Sequence, residues 1–596
     1  MQYRLTKLRF RRRLRKGQKR AEDIGSQAGE NLNQHFFKRF EKLSLVKRFL
    51  FAWLALSALL IAVLIAQNLW LSRYYQTTQP VPGGIYKEGV IGRFTTANPL
   101  FATSDADATV SRLVFAGLLA YDQHGALVPA LANDWTVDEK GSTYTIHLKP
   151  NLTWQDGQAL TSEDVLFTYK TIQNPDVQSP LKSAWEGIEV TAPDKNTVVF
   201  KLPGGLAAFP TSLTTGIVPQ HLLKDIKPSA LRSADFNTVN PVGAGAFKWD
   251  AIDVKGNGTP QDTEVRVALN PFAGYALGEP NLKKFVINIF AEKQQMIDQF
   301  KAGQLNGIEG LTDMPKEIKN KKGMVTNNLT AQAANMVFFK TSSGVLADGA
   351  VRNAIVKASN VPEVTKQLDY APRLIRSPIL PGQVAYDPTV LQSKFDLNAA
   401  KQSLDAAGWA VGSNGVRAKG NQKLVFTLTV ANTQEYRQVA EKLKQQWAKA
   451  GVKVDVQYLD ANDFQNALSN HSYEAILYGI AIGSDPDVFV YWDSTQADIR
   501  SANRLNLSEW KNPTADAALE AGRTRVDPQL RAIKYKPFLQ EWVKDSPALA
   551  LYQPRVLYPT NGPVYGLTSK PVNSAIDRFN GVQVWQIKTA KVTNPN

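Results

Sequence analysis

The side chains able to do chemistry are few and scattered. Five histidines stand at His35, His124, His147, His221 and His471, none paired at metal-ligand spacing. There is no cysteine, which removes a thiol nucleophile and a thiolate metal site together. No Gly-x-Ser-x-Gly elbow, Walker loop or His-Glu-x-x-His motif occurs, and Gly303, Gly307 and Gly310 stand apart as turn glycines. The acidic pair Asp485/Asp487 could do acid–base work, but a turn or capping role suits it better. Aromatic rings are the richer resource, with 12 Trp and 19 Tyr. Trp409, Trp492 and Tyr478 lie near loop signals, where flat amphipathic rings line clefts, although core packing is the ordinary role of any one ring. The inventory points to recognition, with no enzyme activity, cofactor or metal expected.

The elements that position these residues are organised by one stretch. Phe49 to Leu71 runs 23 residues without an Asp, Glu, Lys, Arg or His. At about 1.5 Å per residue a helix of that length spans a hydrocarbon core of about 30 Å. Residues 1–48 carry 15 Lys/Arg against 4 Asp/Glu, a net +11 of the chain's +16. A basic flank stays cytoplasmic, so residues 72–596 are expected outside. The leader is too long for a cleaved signal peptide and no small-x-small site follows the apolar run, so a retained signal anchor is expected. Without cysteine there is neither a lipoprotein anchor nor a disulfide framework. The arm fits acidic lipid better than nucleic acid, and a solvated topogenic tail with no partner fits it as well.

Residues 72–84 read as a polar, Pro/Gly-ended tether. Beyond it the pattern is mixed α/β. Thr109 to Tyr121 has helical spacing, Thr143 to Lys149 alternates as a half-buried strand, and Thr161-Ser162-Glu163-Asp164 caps a helix. Val190 to Leu202 reads as a hairpin-like pair. Leu424–Val430, Gln434–Ala450 and Lys453–Tyr458 form a strand–helix–strand unit, expected to be parallel.

Four blocks in order resemble the family 5 (oligopeptide/dipeptide) solute-binding proteins of ABC transporters. They are Leu113-Val114-Phe115-Ala116-Gly117-Leu118, Pro129 to Trp135, Tyr144 to Lys149, and Trp154 to Val165. Pro241-Val242-Gly243-Ala244-Gly245-Ala246-Phe247, Phe300 to Leu305, Val351 to Ile355, Ala406-Ala407-Gly408-Trp409 and Val439 to Val452 extend the resemblance over about residues 85–570. It implies a two-lobed periplasmic-binding-protein-like α/β fold (type II, cluster C) with an extra inserted domain, here preceded by one transmembrane helix. Lobe I would comprise 85–118, 240–335 and 550–590, the inserted small domain 119–239, and lobe II 336–549. The hinge crossings would fall near Asn335–Lys340 and Ala548–Tyr552.

The resemblance also implies a membrane-anchored extracytoplasmic receptor that binds peptides between its lobes and delivers them to ABC permease subunits with their ATPases. The alternatives are a stand-alone surface peptide receptor or chaperone-like binder, and a receptor for a non-peptide solute. Peptide binders of the family hold the ligand's amine with an Asp shortly before an Asp-Pro pair, where this chain has Ala481 or Ile482. The Arg that receives a dipeptide's carboxylate is replaced by Val430-Ala431-Asn432-Thr433. The resemblance places Asn432, Tyr478, Ile482, Asp485, Asp487 and Trp492 at the ligand cleft.

Overall fold

The computed structural model describes residues 17, 21, 25–26, 47–256, 264–498, 500–501 and 504–593. Most of the basic arm therefore lies outside the described residues. The chain forms two compact units, Met1–Gln79 with Thr589–Asn596, and Pro80–Lys588.

In the first unit Lys47–Tyr75 is one helix of 29 residues with no acid in its first turn. Its segment Phe49–Trp70 is long and apolar enough to cross a membrane, and none of that apolar window is buried. The tether expected over 72–84 is helix as far as Tyr75 and strand over Gln76–Val81. Nothing between Leu71 and Tyr75 breaks a helix, and the first proline is Pro80.

The second unit is built on two large sheets. One has seven strands in the order Met324–Thr330, Arg555–Asn561, Gly307–Glu309, Ile85–Ile91, Lys284–Phe290, Glu264–Pro271 and Phe247–Lys255. Ile85–Ile91 and Lys284–Phe290 run parallel in its middle, with Tyr86 opposite Phe285 and Glu88 opposite Ile287. The other has six strands, Arg373–Leu374, Ala548–Gln553, Ala333–Phe339, Ala475–Ala481, Val425–Ala431 and Lys453–Leu459. Its centre is buried on both faces: Val337 and Phe339 enter one core, Met336 and Phe338 the other. A strand covered on both sides reads as a near-continuous apolar run, as AANMVFF does with Asn335 its one polar residue. The strand–helix–strand unit is parallel, with Leu428 beside Val456. Its helix Gln434–Ala448 is capped by the Thr433 side chain, which accepts from the Tyr436 N–H.

A four-stranded sheet, Ala132–Val137, Thr143–Leu148, Thr197–Lys201 and Glu189–Asp194, belongs to the same unit. Tyr144, Ile146 and Leu148 are buried and alternate with more exposed neighbours, as a half-buried strand requires. The cap expected at Thr161 takes the form of a capping box with Asp164.

Two expectations are displaced. The helix expected over 109–121 is Asp105–Val114, followed by the strand Leu119–Tyr121. Ser104 caps it early, and the chain turns extended at Phe115 so that Gly117 can lie on the Thr214 backbone. A Cβ on Gly117 would stand 2.6 Å from the Thr214 carbonyl carbon. The stretches expected to carry the crossings are ladder strands of the six-stranded sheet. The crossings themselves fall at residues 331–332 and at Pro554, which has no N–H to offer a ladder.

One buried network joins the elements nearest the cleft. Arg578, 1% exposed, donates from Nε to Glu88 Oε1 at 2.9 Å and from Nη2 to Thr109 Oγ1 at 3.0 Å. The Tyr558 hydroxyl donates to Glu88 Oε2 at 2.6 Å and meets the Tyr86 hydroxyl at 2.6 Å. Burial pushes the Glu88 carboxyl up, and the Arg578 charge and Tyr558 hydroxyl offset only part of that, leaving it raised. Burial pulls Arg578 down, and the charges of Glu88 and Glu309 outweigh it, leaving the guanidinium raised. Arg578→Met leaves Glu88 buried without its counter-charge and is expected to cost about 3–5 kcal/mol in urea unfolding. Adding Glu88→Gln to the same chain should recover most of that loss. A single variant as stable as the parent would contradict this reading.

Candidate functional site

A cavity of about 570 Å³ opens between segments that follow strands of both large sheets. Two further cavities, of about 450 and 420 Å³, are lined from residues 163–231 and from residues 356–395 with 549–550. Only the first of these three joins both sides.

Helix Asp105–Val114 supplies the first wall. Ala108, Ser111, Arg112 and the following Phe115 face the cavity, at helical spacing. The opposite stripe, Val110, Leu113 and Val114, is fully buried in the core. Asp107 fixes the start of the helix by accepting from the N–H groups of Thr95 and Thr96 and from the Thr95 hydroxyl, at 2.7–3.0 Å. Arg112 donates from Nη2 to Asn580 Oδ1 at 3.0 Å.

The second wall is the turn at residues 573–577. Asn573 N–H donates to Asp577 Oδ2 at 2.9 Å and Asp577 N–H to Ser574 O at 3.2 Å. Arg578 holds this turn from behind through Ala575 O at 2.7 Å. Thr211, Thr214 and Thr215 form a third wall. Each donates its hydroxyl hydrogen to the carbonyl three residues back, so their oxygens remain as acceptors toward the cavity.

The facing wall is Ile482–Asp487, where the chain leaves the strand Ala475–Ala481. The N–H groups of Ile482 and Gly483 both donate to Gln332 O at 2.9 Å. Gly483 has φ +78°, a conformation glycine adopts without strain. Asp485 accepts two hydrogen bonds from Arg531, one at 2.6 Å from Nη1 and a shorter one from Nη2. Burial pulls the Arg531 guanidinium down, and the Asp485 hydrogen bonds and charge outweigh it, leaving it raised. Asp487 pairs with Arg523 Nη2 at 2.8 Å, and that guanidinium lies 4.3 Å over the Phe489 ring. The walls touch at the rim. The Tyr121 and Ser484 hydroxyls meet at 2.5 Å, and Ala207 N–H donates to Arg523 O at 2.8 Å. Burial pushes the Tyr121 hydroxyl up, and its bond with Ser484 partly reverses that.

Of the six residues that the sequence placed at the cleft, Ile482, Asp485 and Asp487 line this cavity. Trp492 does not: it is fully buried, stacked 5.7 Å from Phe338 and edge-on 5.5 Å from Trp542. Tyr478 is half-buried on its strand beside Phe464 and lies outside the lining, and Asn432 is an exposed residue that accepts from Arg437 Nε. Trp409 is a core ring too, with its indole N–H on Asp348 Oδ2 at 3.2 Å. Sequence reasoning missed Arg112, Tyr121, the three threonines and the 573–577 turn. The signal available was the polar stripe of Ser111 and Arg112 beside an apolar one.

Two sheets crossed twice by the chain, with a cavity lined from both sides, define a two-lobed ligand-binding fold. The profile of the bacterial extracellular solute-binding proteins, family 5 (middle), matches residues 126–501, and the chain belongs to that family. Its members are binding receptors and not enzymes. Protein XP55 of Streptomyces lividans is 28% identical over 436 residues, 72% of this chain and 77% of that protein. The oligopeptide-binding protein AppA of Bacillus subtilis is 25% identical over 487 residues, 80% of this chain and 87% of that protein. Among solved structures, AppA with a bound nonapeptide aligns with TM-score 0.63 at 23% identity, covering 86% of this chain and 100% of that one. NikZ of Campylobacter jejuni with Ni(L-His) aligns with TM-score 0.67 at 22% identity, covering 84% and 99%.

Because Arg531 is buried, Asp485→Asn is expected to destabilise the chain by about 3 kcal/mol in denaturant unfolding. A variant as stable as the parent but weaker in solute binding would make Asp485 a ligand contact instead.

Proposed function

We propose that the chain is a membrane-anchored extracytoplasmic receptor of an ABC importer, which binds a short peptide in the 570 Å³ cavity and presents it to permease subunits. The observation that carries this is the cavity itself, lined from both sheets of a body whose chain crosses between them twice. Rotation about two such crossings opens and closes a cleft, and so couples binding to docking. In this reading lobe I comprises 85–118, 240–335 and 550–590, the inserted domain 119–239, and lobe II 336–549, with the limits between the lobes moved to the crossings at 331–332 and Pro554. The seven-stranded sheet supports lobe I, since it draws strands from all three of those segments. The anchor is Phe49 to Leu71, with the basic arm in the cytoplasm.

The cavity volume falls within the ~300–1,000 Å³ of small-ligand sites. That favours a peptide of a few residues over one as long as the nonapeptide held by AppA. A second reading, a small non-peptide solute, draws on the same wall. Asp485 and Asp487 are both engaged by arginines, and Ile482 stands where an ammonium partner is expected. The test is mass spectrometry of what co-purifies with the full chain in detergent, followed by calorimetry over a series of peptide lengths. Binding should be tightest at about three to five residues. Tighter binding of nonapeptides would overturn the size argument, and a co-purified solute without peptide bonds would select the second reading.

Orientation has its own check. Protease added to intact cells should release a fragment that begins after Leu71 and leave the arm uncut. Cleavage confined to residues 1–48 would reverse the topology.

A further inference from the structure

We propose that Arg112 is the anion-receiving residue of this cavity, so that the bound solute carries a carboxylate and meets it there. The inference rests on the cavity being the solute site, and it names a specificity residue outside the positions where the resemblance placed charged contacts.

The charges around the cavity carry the argument. Four ionic side chains line it: Arg112, Asp485, Asp487 and Asp577. Asp485 is neutralised by Arg531 and Asp487 by Arg523. Asp577 accepts the Asn573 N–H that closes its own turn and, among the described residues, has no ion-pair partner either. Arg112 is the one cation of the four. Among the described residues it has no ion-pair partner, and its one hydrogen bond goes to a neutral acceptor, Asn580 Oδ1. A guanidinium carries five N–H donors in a planar fork, which suits a carboxylate held by two parallel bonds. A guanidinium that lines a cavity without a counter-charge leaves its remaining donors open to a ligand's anion.

Position adds to this. Arg112 stands in the last turn of its helix, on the stripe with Ala108, Ser111 and Phe115 that faces the cavity. Asn580, 3% exposed, holds one end of the fork, and its own N–H is bonded to Asp577 O at 3.0 Å. The helix is fixed to the same turn by Arg578 through Thr109. The guanidinium is thus set against a rigid wall, as a specificity contact requires. A cation in the last turn also interacts favourably with the helix dipole, but that role alone would be met as well by a side chain turned to bulk solvent.

The experiment uses the full chain in detergent and an equimolar tetrapeptide mixture, prepared once as free acids and once as C-terminal amides. Retained peptides are counted by mass spectrometry. The parent chain should retain acids at least tenfold over amides, the size of one charge-assisted hydrogen bond. Arg112→Gln should bring the acid-to-amide ratio to about one, and Arg112→Lys should restore part of it. Equal retention of acids and amides by the parent, or an unchanged preference in Arg112→Gln, would overturn the assignment while leaving peptide binding intact. Retention of neither mixture by the parent would remove the peptide reading, and the assignment with it.

Discussion

The cleft depends on a salt bridge that never touches it. Glu88 and Arg578 are 490 positions apart and almost fully buried, and between them they tie a central strand, the helix Asp105–Val114, and the 573–577 turn into one rigid block. Two of the cavity's walls belong to that block. A buried pair is a poor device for raising stability, since an apolar pair of the same shape serves as well or better. Its contribution here is geometric. Arg578 can satisfy Glu88, Thr109 and Ala575 O only when all three elements are in register, so a single side chain fixes how two walls face the cavity.

The facing wall is fixed by the same chemistry with a different consequence. The resemblance places the carboxylates of Asp485 and Asp487 at the ligand cleft. Arg531 and Arg523 occupy both. What the wall then presents is an apolar side chain, Ile482, a left-handed glycine and the Ser484 hydroxyl, with little net charge. The other polar groups of the lining stand on the opposite side of the cavity, where threonine oxygens, Asn573, Asp577 and Arg112 gather. The rim contacts Tyr121–Ser484 and Ala207–Arg523 join the two sides without filling the space between them.

Local signals in the sequence translated well into elements. The capping box at Thr161–Asp164 and the strand–helix–strand unit at 425–459 are set by neighbours a few residues apart, and both form as the pattern requires. Rings were harder to place. Trp492 sits in a four-residue helix, Phe489–Trp492, too short for periodicity to show which way it points, and it fills a core of Phe338, Trp510 and Trp542. Arg112 could not be assigned until the buried stripe of its helix was known. Arg531 and Arg578 lay beyond sequence reasoning altogether, because their partners are 46 and 490 positions away. The side chains that decide the electrostatics of this cleft are the ones whose contacts are least local.

Amide hydrogen exchange on the full chain in detergent, with and without the tetrapeptide mixture, tests the central claim that this cavity is where solute binds. The account predicts slowed exchange in 105–115, 211–216, 482–487 and 573–577 together, because ligand must bridge all four walls. Protection confined to residues 163–231, or to 356–395 with 549–550, would place the solute in another cavity and contradict the account.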